Sequence, residues 1–396
     1  MTNQDIIAQA DQVIIKTYGR YPVAFVRGQG STVWDADGKS YTDFLTGLAV
    51  CVLGHCHPRV VEAITQQAQT LLHVSNFYHT VPQTEVATFL SEHAFGGKVF
   101  FCNSGAEANE AALKIARKYS HDRHGESRTD IITTTNSFHG RTLGTVAATG
   151  QEKVRKGFEP VLPGFTYVPY GDLGAMEQAM TENTCAVLIE QIQGEGGIVI
   201  PPDGYLEGLR HMCDQRDVVL MFDEVQTGIG HTGHYFGYQH EGVAPDVMTL
   251  AKGLAGGLPI GAMMAKPHIA EALGPGTHGS TFGGNPVSCS AALAVLRTIE
   301  DEHILQHVQE VGAHFVEGLR RLQKKYAFIT DVRGRGLMVA AELDRPGGHM
   351  VVKAMERGYL INCTVDRVLR FLPPLIITQQ EVDGLLATLD IIFAEE

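Results

Sequence analysis

Short segments that are wholly or almost wholly apolar recur through the middle of the chain, separated by polar or glycine-rich turns. They lie at residues 99–101, 131–132, 186–189, 218–222 and 247–251. Between them, apolar residues recur every three or four positions, as on one face of a helix, at 104–119 and 205–215. Strands that are buried on both faces are apolar throughout, so the pattern predicts a mostly parallel sheet flanked by helices. The predicted fold class is α/β.

The two ends of the chain do not follow this alternation. Beyond about residue 280 the pattern predicts helices at 291–300, 305–326, 351–357 and through Ile392, and strands at 328–332, 337–343 and 369–371. Such an order is typical of a smaller α+β domain. The first residues, with a helical pattern at 5–17, are expected to join it. We therefore predict an N-terminal segment of the small domain (1–54), a large domain (55–277) and a C-terminal small domain (278–396).

Polar side chains directly follow four of the five central apolar segments. Ser104 comes after the first segment, and Glu190 comes after the third. Asp223 and Lys252 come after the fourth and the fifth. Sheets of parallel strands bind ligands outside the carboxyl ends of their strands. We therefore expect these side chains to converge on one site.

Lys252 lies between the apolar segment 247–251 and a glycine-rich turn, which a second apolar segment, 260–264, follows. Removal from water disfavours the charged amine and lowers its pKa. A lysine of this kind is a usable nucleophile, as a Schiff-base lysine must be. Taken by itself, the segment also fits an ordinary lysine at a strand end.

Two further segments are each open to two interpretations. Asp223 follows five apolar residues, and a buried carboxylate needs a cationic partner, either a protonated pyridine nitrogen or a structural arginine. Ser104 and Glu107 match a capping box at the start of a helix. The same helix start, with Gly105 and Ala106, offers free amides to a phosphate.

A lysine, a buried carboxylate, a phosphate-binding helix start and a stacking aromatic residue together fit pyridoxal phosphate. The cofactor is held as a Schiff base by a lysine and has an acidic partner for its ring nitrogen. Arg141 and Arg370 then become candidates for binding substrate carboxylates, because a guanidinium can form paired hydrogen bonds to a carboxylate.

Composition and other motifs exclude several classes of function. The net charge of −13 over 396 residues argues against nucleic-acid binding. His55, Cys56 and His57 are adjacent and have no second ligand pair at zinc-like spacing, so no metal is expected. The GxGxxG match at 228–233 lies several residues past its strand, which argues against a dinucleotide site. Seven scattered cysteines, no signal-like start and no apolar run of membrane length predict a cytoplasmic protein without a membrane partner.

Ordered motifs along nearly the whole chain carry a family resemblance. They are 53–58 (LGHCHP), 103–110 (NSGAEANE), 137–142 (SFHGRT), 190–195 (EQIQGE), 222–228 (FDEVQTG), 278–286 (HGSTFGGNP) and 369–374 (LRFLPP). With Lys252-Gly253, these make the chain resemble the class III pyridoxal-phosphate-dependent aminotransferases, and within them the acetylornithine aminotransferases. The resemblance implies a fold-type-I transferase that works as a homodimer with shared active sites.

The implied reaction moves the δ-amino group of N2-acetylornithine to 2-oxoglutarate, giving N-acetylglutamate 5-semialdehyde and glutamate, a step of arginine biosynthesis. It would run by a ping-pong route between an internal aldimine on Lys252 and pyridoxamine phosphate. Succinylornithine, succinyldiaminopimelate, ornithine and 4-aminobutyrate aminotransferases are alternatives of the same class. A non-catalytic relative would be expected to lack a key residue, and this chain has Lys252, Asp223, Arg141 and Arg370.

The resemblance also implies a role for each matching position. The cofactor contacts are Ser104, Gly105 and Ala106 at the phosphate, Phe138 and Val225 on the ring faces, Gln226 at the phenolic oxygen, Asp223 at the ring nitrogen with Glu224 beside it, and Thr281 at the phosphate of the neighbouring subunit. The substrate contacts are Arg141 on the acetylornithine carboxylate, Ser280 beside it, Arg370 on the α-carboxylate of glutamate or 2-oxoglutarate, Glu195 as a cover for Arg370, and Glu190 in support.

Two positions bear on these implications. The family often has Arg where His231 stands, which leaves the role of that position open. Ornithine δ-aminotransferases commonly have Trp where His139 stands, and Asn-Thr-Gly in place of Asn103-Ser-Gly. These two differences favour the acetylated substrate.

Overall fold

The computed structural model describes residues 1–396 as three β-sheets with helices packed around them. The strands are β1 (Phe25–Gln29), β2 (Thr32–Asp35), β3 (Ser40–Asp43), β4 (Lys98–Cys102), β5 (Asp130–Thr134), β6 (Phe165–Val168), β7 (Thr184–Ile189), β8 (Val219–Asp223), β9 (Val247–Leu250), β10 (Gly261–Ala265), β11 (Ile329–Arg335), β12 (Met338–Leu343), β13 (Tyr359–Leu360), β14 (Asn362–Thr364) and β15 (Val368–Phe371).

Helices connect most of these strands. They are α1 (Asn3–Val13), α2 (Thr46–Ala49), α3 (Pro58–Thr70), α4 (Val81–His93), α5 (Gly105–His124), α6 (Leu143–Ala148), α7 (Glu152–Arg155), α8 (Leu173–Ala179), α9 (Tyr205–Arg216), α10 (Pro267–Ala270), α11 (Pro286–Asp301), α12 (Ile304–Lys325), α13 (Gly348–Glu356) and α14 (Gln379–Ala394), with short 3₁₀ turns at Gly237–His240 and Lys252–Ala255. None of the helices is long and apolar enough to cross a membrane.

The central sheet has seven strands in the order β4-β10-β9-β8-β7-β5-β6. Neighbouring strands from β9 to β6 are parallel, and only β10 runs antiparallel to its two neighbours. Every residue of β7, β8 and β9 is buried, in keeping with their almost entirely apolar sequences. The prediction of an α/β fold with a mostly parallel sheet is confirmed.

Two four-stranded sheets lie outside the central sheet, and one of them brings the two ends of the chain together. One has the order β1-β2-β3-β13, in which β13 pairs in parallel with β3. The other has the order β11-β12-β15-β14 and consists only of C-terminal strands. The pairing of β13 with β3 is in keeping with an N-terminal segment that joins the C-terminal domain, while the predicted boundaries at 54 and 277 stay predictions.

The short helix α2 is left-handed. Its four residues, Thr46 to Ala49, have φ angles of 51°, 66°, 68° and 65°, and only the second is glycine. A left-handed turn costs roughly 1–2 kcal/mol for each residue that carries a Cβ atom. Two contacts hold it in place: the Asp43 carboxylate accepts the Thr46 amide at 2.8 Å, and the Thr46 hydroxyl donates to the Leu372 carbonyl at 2.8 Å.

Candidate active site

A cavity of about 440 Å³ opens at the carboxyl ends of β4, β7, β8 and β9. Most of the predicted site residues line it: Ser104, Gly105, Ala106, Phe138, Arg141, Glu190, Glu195, Asp223, Val225, Gln226 and Lys252. Parallel strands end at the same edge of a sheet, so residues that are far apart in sequence meet there. The convergence expected from the strand ends is therefore present.

Lys252 begins the 3₁₀ turn after β9 and has a left-handed backbone, with φ of 41°. Such a conformation is uncommon for a residue other than glycine and is typical of functional sites. The next residue must be glycine, because a Cβ atom on Gly253 would lie 2.6 Å from the Val52 side chain. Burial lowers the pKa of the Lys252 amine, against the opposing charge of Glu195. The neutral, nucleophilic form is thereby favoured.

Asp223 ends β8 and is held by three donors. One carboxylate oxygen accepts from the Asn109 amide at 2.8 Å and pairs with His139 Nδ1 at 2.7 Å. The other oxygen accepts from the Val225 backbone amide at 3.0 Å. No arginine forms an ion pair with Asp223, so the structural-arginine interpretation of this segment does not apply. Its carboxylate lines the cavity, where a cationic ligand group could meet it.

The start of α5 forms the helix cap that the sequence predicts, and it also lines the cavity. The Ser104 hydroxyl caps the helix by accepting from the Glu107 amide at 3.2 Å, and the Glu107 carboxylate accepts from the Asn103 amide at 2.8 Å. The amides of Gly105 and Ala106 begin the helix and line the cavity. The first amides of a helix have no carbonyl partner within it and carry the positive end of its dipole. They suit a phosphate.

The donors and surfaces in the cavity fit pyridoxal phosphate. Phe138 and Val225 both line it and could cover the two faces of a flat ring. Gly105 leaves the space next to Val225 open, since a Cβ atom there would lie 2.8 Å from Val225 Cγ1. The buried side-chain oxygen of Gln226 has no hydrogen-bond partner within the protein. Buried polar groups are rarely left unpaired, so this oxygen marks a place for a polar ligand group.

Two arginines are candidates for substrate carboxylates, and they differ in their surroundings. Arg141 is exposed at the cavity, with its guanidinium 5.3 Å from the centre of the Phe138 ring. Arg370 is only 1% exposed and does not itself line the cavity. Its Nη1 donates to the Glu195 carboxylate at 2.7 Å, and Glu195 does line the cavity. Burial opposes ionisation of Glu195, but the charge and hydrogen bond of Arg370 outweigh it and lower its pKa.

Two other predicted carboxylates are buried beside the strand ends. Glu190 lines the cavity and accepts from the Phe138 and Gly194 amides at 3.1 Å each. Burial raises the pKa of Glu190 to about 7. Glu224 does not line the cavity. Its carboxylate accepts from two backbone amides of the turn Gly237–His240, at 2.8 Å each, so its side chain holds that turn instead of facing the candidate cofactor site.

Ser280 and Thr281 lie outside the cavity of this chain. The Ser280 hydroxyl accepts from the Asn103 side-chain amide at 3.2 Å, which ties its loop to the start of α5. Thr281 is exposed, and the next residue, Phe282, is 62% exposed. Ser280 therefore meets the cavity only through Asn103, which lines it, whereas Thr281 makes no contact with it and is accessible to another molecule.

The sequence did not identify three residues that the structure brings into the site. His139 and Asn109 are almost fully buried, and both hold Asp223. His139 lies in the motif 137–142 and Asn109 in the motif 103–110, so motif membership was the only available signal. Val50, directly after the left-handed turn α2, lines the cavity on the side of the N-terminal segment.

His231 is fully buried, and neither of its ring nitrogens has a hydrogen-bond partner. Burial lowers the pKa of His231 to about 4, from an ordinary value of 6.5. Between these two values the unfolded chain binds a proton that the folded chain does not bind. The imidazole is therefore neutral in the folded protein near pH 7, in contrast to the guanidinium that the family often has at this position.

We expect His231 to make the folded protein less stable in mild acid. As the pH falls from 6.5 towards 4, wild type should lose up to about 3 kcal/mol of unfolding free energy relative to His231→Gln. Urea unfolding of both proteins at pH 7.5 and 5.0 measures the difference. The control His211→Gln removes an exposed histidine and should keep the wild-type dependence. Equal pH dependence of wild type and His231→Gln would contradict this account.

Comparisons with known proteins point to one family. The family described as Aminotransferase class-III matches residues 14–393. The chain is 51% identical over 391 residues to an acetylornithine aminotransferase of Caldanaerobacter subterraneus, covering 98% of this chain and 99% of that protein. It is also 51% identical over 395 residues to an acetylornithine aminotransferase of Methanocaldococcus jannaschii, covering 100% and 99%.

A solved structure matches the whole fold. The ornithine aminotransferase of Toxoplasma gondii, described with partial occupancy of PLP at its active site, superposes with a TM-score of 0.95. It shares 37% sequence identity with this chain, and the match covers 100% of this chain and 95% of the other. Identity at this level over full length indicates shared chemistry as well as shared architecture.

Proposed function

Because this chain belongs to the class III aminotransferase family, we propose that it transfers the δ-amino group of N2-acetylornithine to 2-oxoglutarate. The products are N-acetylglutamate 5-semialdehyde and glutamate, as in arginine biosynthesis. The chain is a pyridoxal-phosphate-dependent aminotransferase. The observation that carries the substrate proposal is the pairing of Glu195 with Arg370 at a cavity that Lys252, Asp223 and Arg141 also line.

When bound, pyridoxal phosphate supplies an aldehyde that takes up the amino group and a ring that accepts electrons from the neighbouring carbon. Lys252 would hold the cofactor through its amine and would also carry the proton at the substrate carbon. Its lowered pKa suits this task, because a general base works best with a pKa near the working pH. Asp223 would keep the ring nitrogen protonated, and His139 and Asn109 fix the orientation of the Asp223 carboxylate.

The two arginines let one cavity accept two unlike substrates in turn. Arg141 binds the carboxylate of acetylornithine, whose δ-amino end has no carboxylate of its own. Glu195 then stays on Arg370 and keeps that buried charge compensated. With 2-oxoglutarate or glutamate, the α-carboxylate of the substrate takes the place of Glu195 on Arg370. This exchange suits two different substrates. One is an amine whose carboxylate is distant from the reacting amino group, and the other is an α-amino dicarboxylate.

Single-turnover rates with a set of amines test the substrate proposal. The loss of the cofactor's absorbance is followed with acetylornithine, succinylornithine, succinyldiaminopimelate, ornithine and 4-aminobutyrate at equal concentrations. Acetylornithine should give the highest kcat/KM. If ornithine or 4-aminobutyrate proved fastest, the acetylornithine proposal would be overturned in favour of a related activity of the same class.

We also propose a homodimer with shared active sites. Exposed apolar side chains gather around the loop that carries Thr281: Leu72, Phe77, Tyr78, Val81 and Phe282 are each more than 60% exposed. The segment with Phe77 is fixed to this loop by the Asn76 side-chain amide, which donates to the Ser280 and Gly283 carbonyls at 3.0 Å each. A group of exposed apolar side chains such as this one is typical of an interface.

A second copy that covers this surface would bring Thr281 to the partner's phosphate site. We expect the wild-type protein to have a mass in solution of twice the 43.0 kDa chain mass. Phe282→Asp should reduce that mass and lower cofactor occupancy together. A monomeric wild-type protein with full activity would rule the shared site out.

A further inference from the structure

Arg370 donates hydrogen bonds from two different edges of its guanidinium group. On one edge, Nε and Nη2 both donate to the Asn362 side-chain oxygen, at 3.2 and 2.9 Å. On the other edge, Nη1 donates to the Glu195 carboxylate at 2.7 Å and to the Gly194 carbonyl at 3.2 Å. The partner on the first edge is neutral, and the partner on the second edge is a carboxylate.

The contact with Asn362 is set by the backbone. Asn362 on β14 and Arg370 on β15 are directly paired residues of an antiparallel ladder. Directly paired residues have their Cβ atoms about 4.5–5.5 Å apart, so the two side chains meet without a change of register. The same strand also holds the loop of Glu195, since the Thr364 hydroxyl donates to the Glu195 carbonyl at 2.7 Å. Strand β14 therefore positions both members of the Glu195–Arg370 pair.

The neutrality of Asn362 matters because Arg370 is buried. With a carboxylate on each edge, the guanidinium would be fully compensated before any substrate arrived. An arriving substrate carboxylate would then face a neutralised arginine and one more negative charge. We call the edge formed by Nε and Nη2 the inner edge and the edge with Nη1 the outer edge. With an amide oxygen on the inner edge, the arginine keeps its orientation and its charge is not compensated there.

We propose that Asn362 is a positioning residue, which holds Arg370 by its inner edge without neutralising it. The outer edge is then free to exchange Glu195 for the α-carboxylate of 2-oxoglutarate or glutamate. This inference rests on the proposed function only in that one of the two substrates is an α-amino or α-keto dicarboxylate. It extends the site to a residue on β14 that does not line the cavity.

The test uses Asn362→Asp, which keeps the size and the acceptor oxygen but adds a charge. Each half-reaction is followed separately by cofactor absorbance in the loaded enzyme. We expect the KM for 2-oxoglutarate to rise about tenfold or more, since a charge-assisted hydrogen bond contributes about 1.5–3 kcal/mol. The half-reaction with the amine donor should change by less than about threefold. Asn183→Asp, at an exposed position directly before β7 and thus at the end of that strand opposite to the cavity, should alter neither value.

Two further variants separate positioning from a structural effect. Asn362→Ala removes the inner-edge acceptor without adding charge, and it should lower kcat for the 2-oxoglutarate half-reaction more than it raises KM. The double variant with Asn362→Asp and Glu195→Gln should still show the raised KM for 2-oxoglutarate, because the added charge weakens the binding of the substrate carboxylate to Arg370. An unchanged KM for 2-oxoglutarate in Asn362→Asp, or equal losses in both half-reactions, would overturn the proposal.

The rates of the wild-type enzyme are measured first, so that the acetylornithine proposal and the Asn362 proposal can fail separately. If wild type prefers another amine, the acetylornithine proposal fails, and the effect of Asn362→Asp on 2-oxoglutarate can still be measured with that amine. If wild type uses acetylornithine and the KM for 2-oxoglutarate does not respond to Asn362→Asp, only the role of Asn362 fails.

Discussion

Lys252→Ala should lower amino-group transfer by at least about 10⁴-fold, because it removes both a covalent attachment and a proton carrier. No other side chain at the cavity can replace it. Apart from Lys252, Arg141 is the only lysine or arginine that lines the cavity, and an arginine does not give up its proton. His139 lines the cavity too, but its ring nitrogens are engaged with Asp223 and Thr133.

Two measurements check the Lys252 prediction. Wild type reduced with borohydride should gain the mass of the cofactor and keep it after denaturation, whereas Lys252→Ala should gain nothing. Lys324→Ala, a change at an exposed position near the end of α12, is the matched control and should retain both adduct and turnover. A colourless wild type that gains no absorbance on addition of pyridoxal phosphate, or a trapped adduct in Lys252→Ala, would contradict the prediction.

Asp223→Asn should lower kcat by about 10²–10³-fold, the effect of removing one preorganised electrostatic contact from a buried site. The amide keeps the size of the carboxylate but no longer supports a proton on the ring nitrogen. It also presents an NH₂ group to a position that now receives the Asn109 amide and His139. The absorbance maximum of the bound cofactor should shift, since its ring changes protonation.

Asp246 supplies the control for the Asp223 prediction. It is also a buried carboxylate, but it lies just before β9 instead of after a strand, and it is paired with Arg210 and Lys266 at 2.8 Å each. Asp246→Asn should therefore lower the unfolding free energy while kcat stays within about twofold. Similar kcat values for Asp223→Asn and wild type would show that Asp223 has no electrostatic part in the reaction.

The fold could be predicted from the sequence where complete burial restricts a strand to apolar residues. Strands β7, β8 and β9 are buried on every side, so their residues are all apolar or nearly so, and their positions were found within two residues. Strand β6 was not found, because it lies at the edge of the sheet and its residues are only partly buried. The first helix was predicted at 5–17 but ends at Val13, since none of its residues is buried and no packing extends it.

The candidate site was predictable only in part, for a related reason. Lys252 and Asp223 were found because each directly follows an apolar segment of the sequence, which is a local signal. The pairing of Glu195 with Arg370 joins residues 175 positions apart and was expected only from the family resemblance. The contacts of Asn362 with Arg370 and of His139 with Asp223 depend on strand register and tertiary packing, neither of which a local pattern contains.

The left-handed turn α2 has a consequence for how the protein is made. Its Thr46 hydroxyl is bonded to a carbonyl 326 residues later, and the Leu375 amide closes on the Val52 carbonyl beside it. A growing chain can form the central sheet soon after β10 is synthesised, but it cannot secure this turn until nearly the whole chain has left the ribosome. The wall of the cavity that Val50 provides is thus completed last. A chain that lacks residues 372–375 would lack both of these contacts and, with them, the support for this wall.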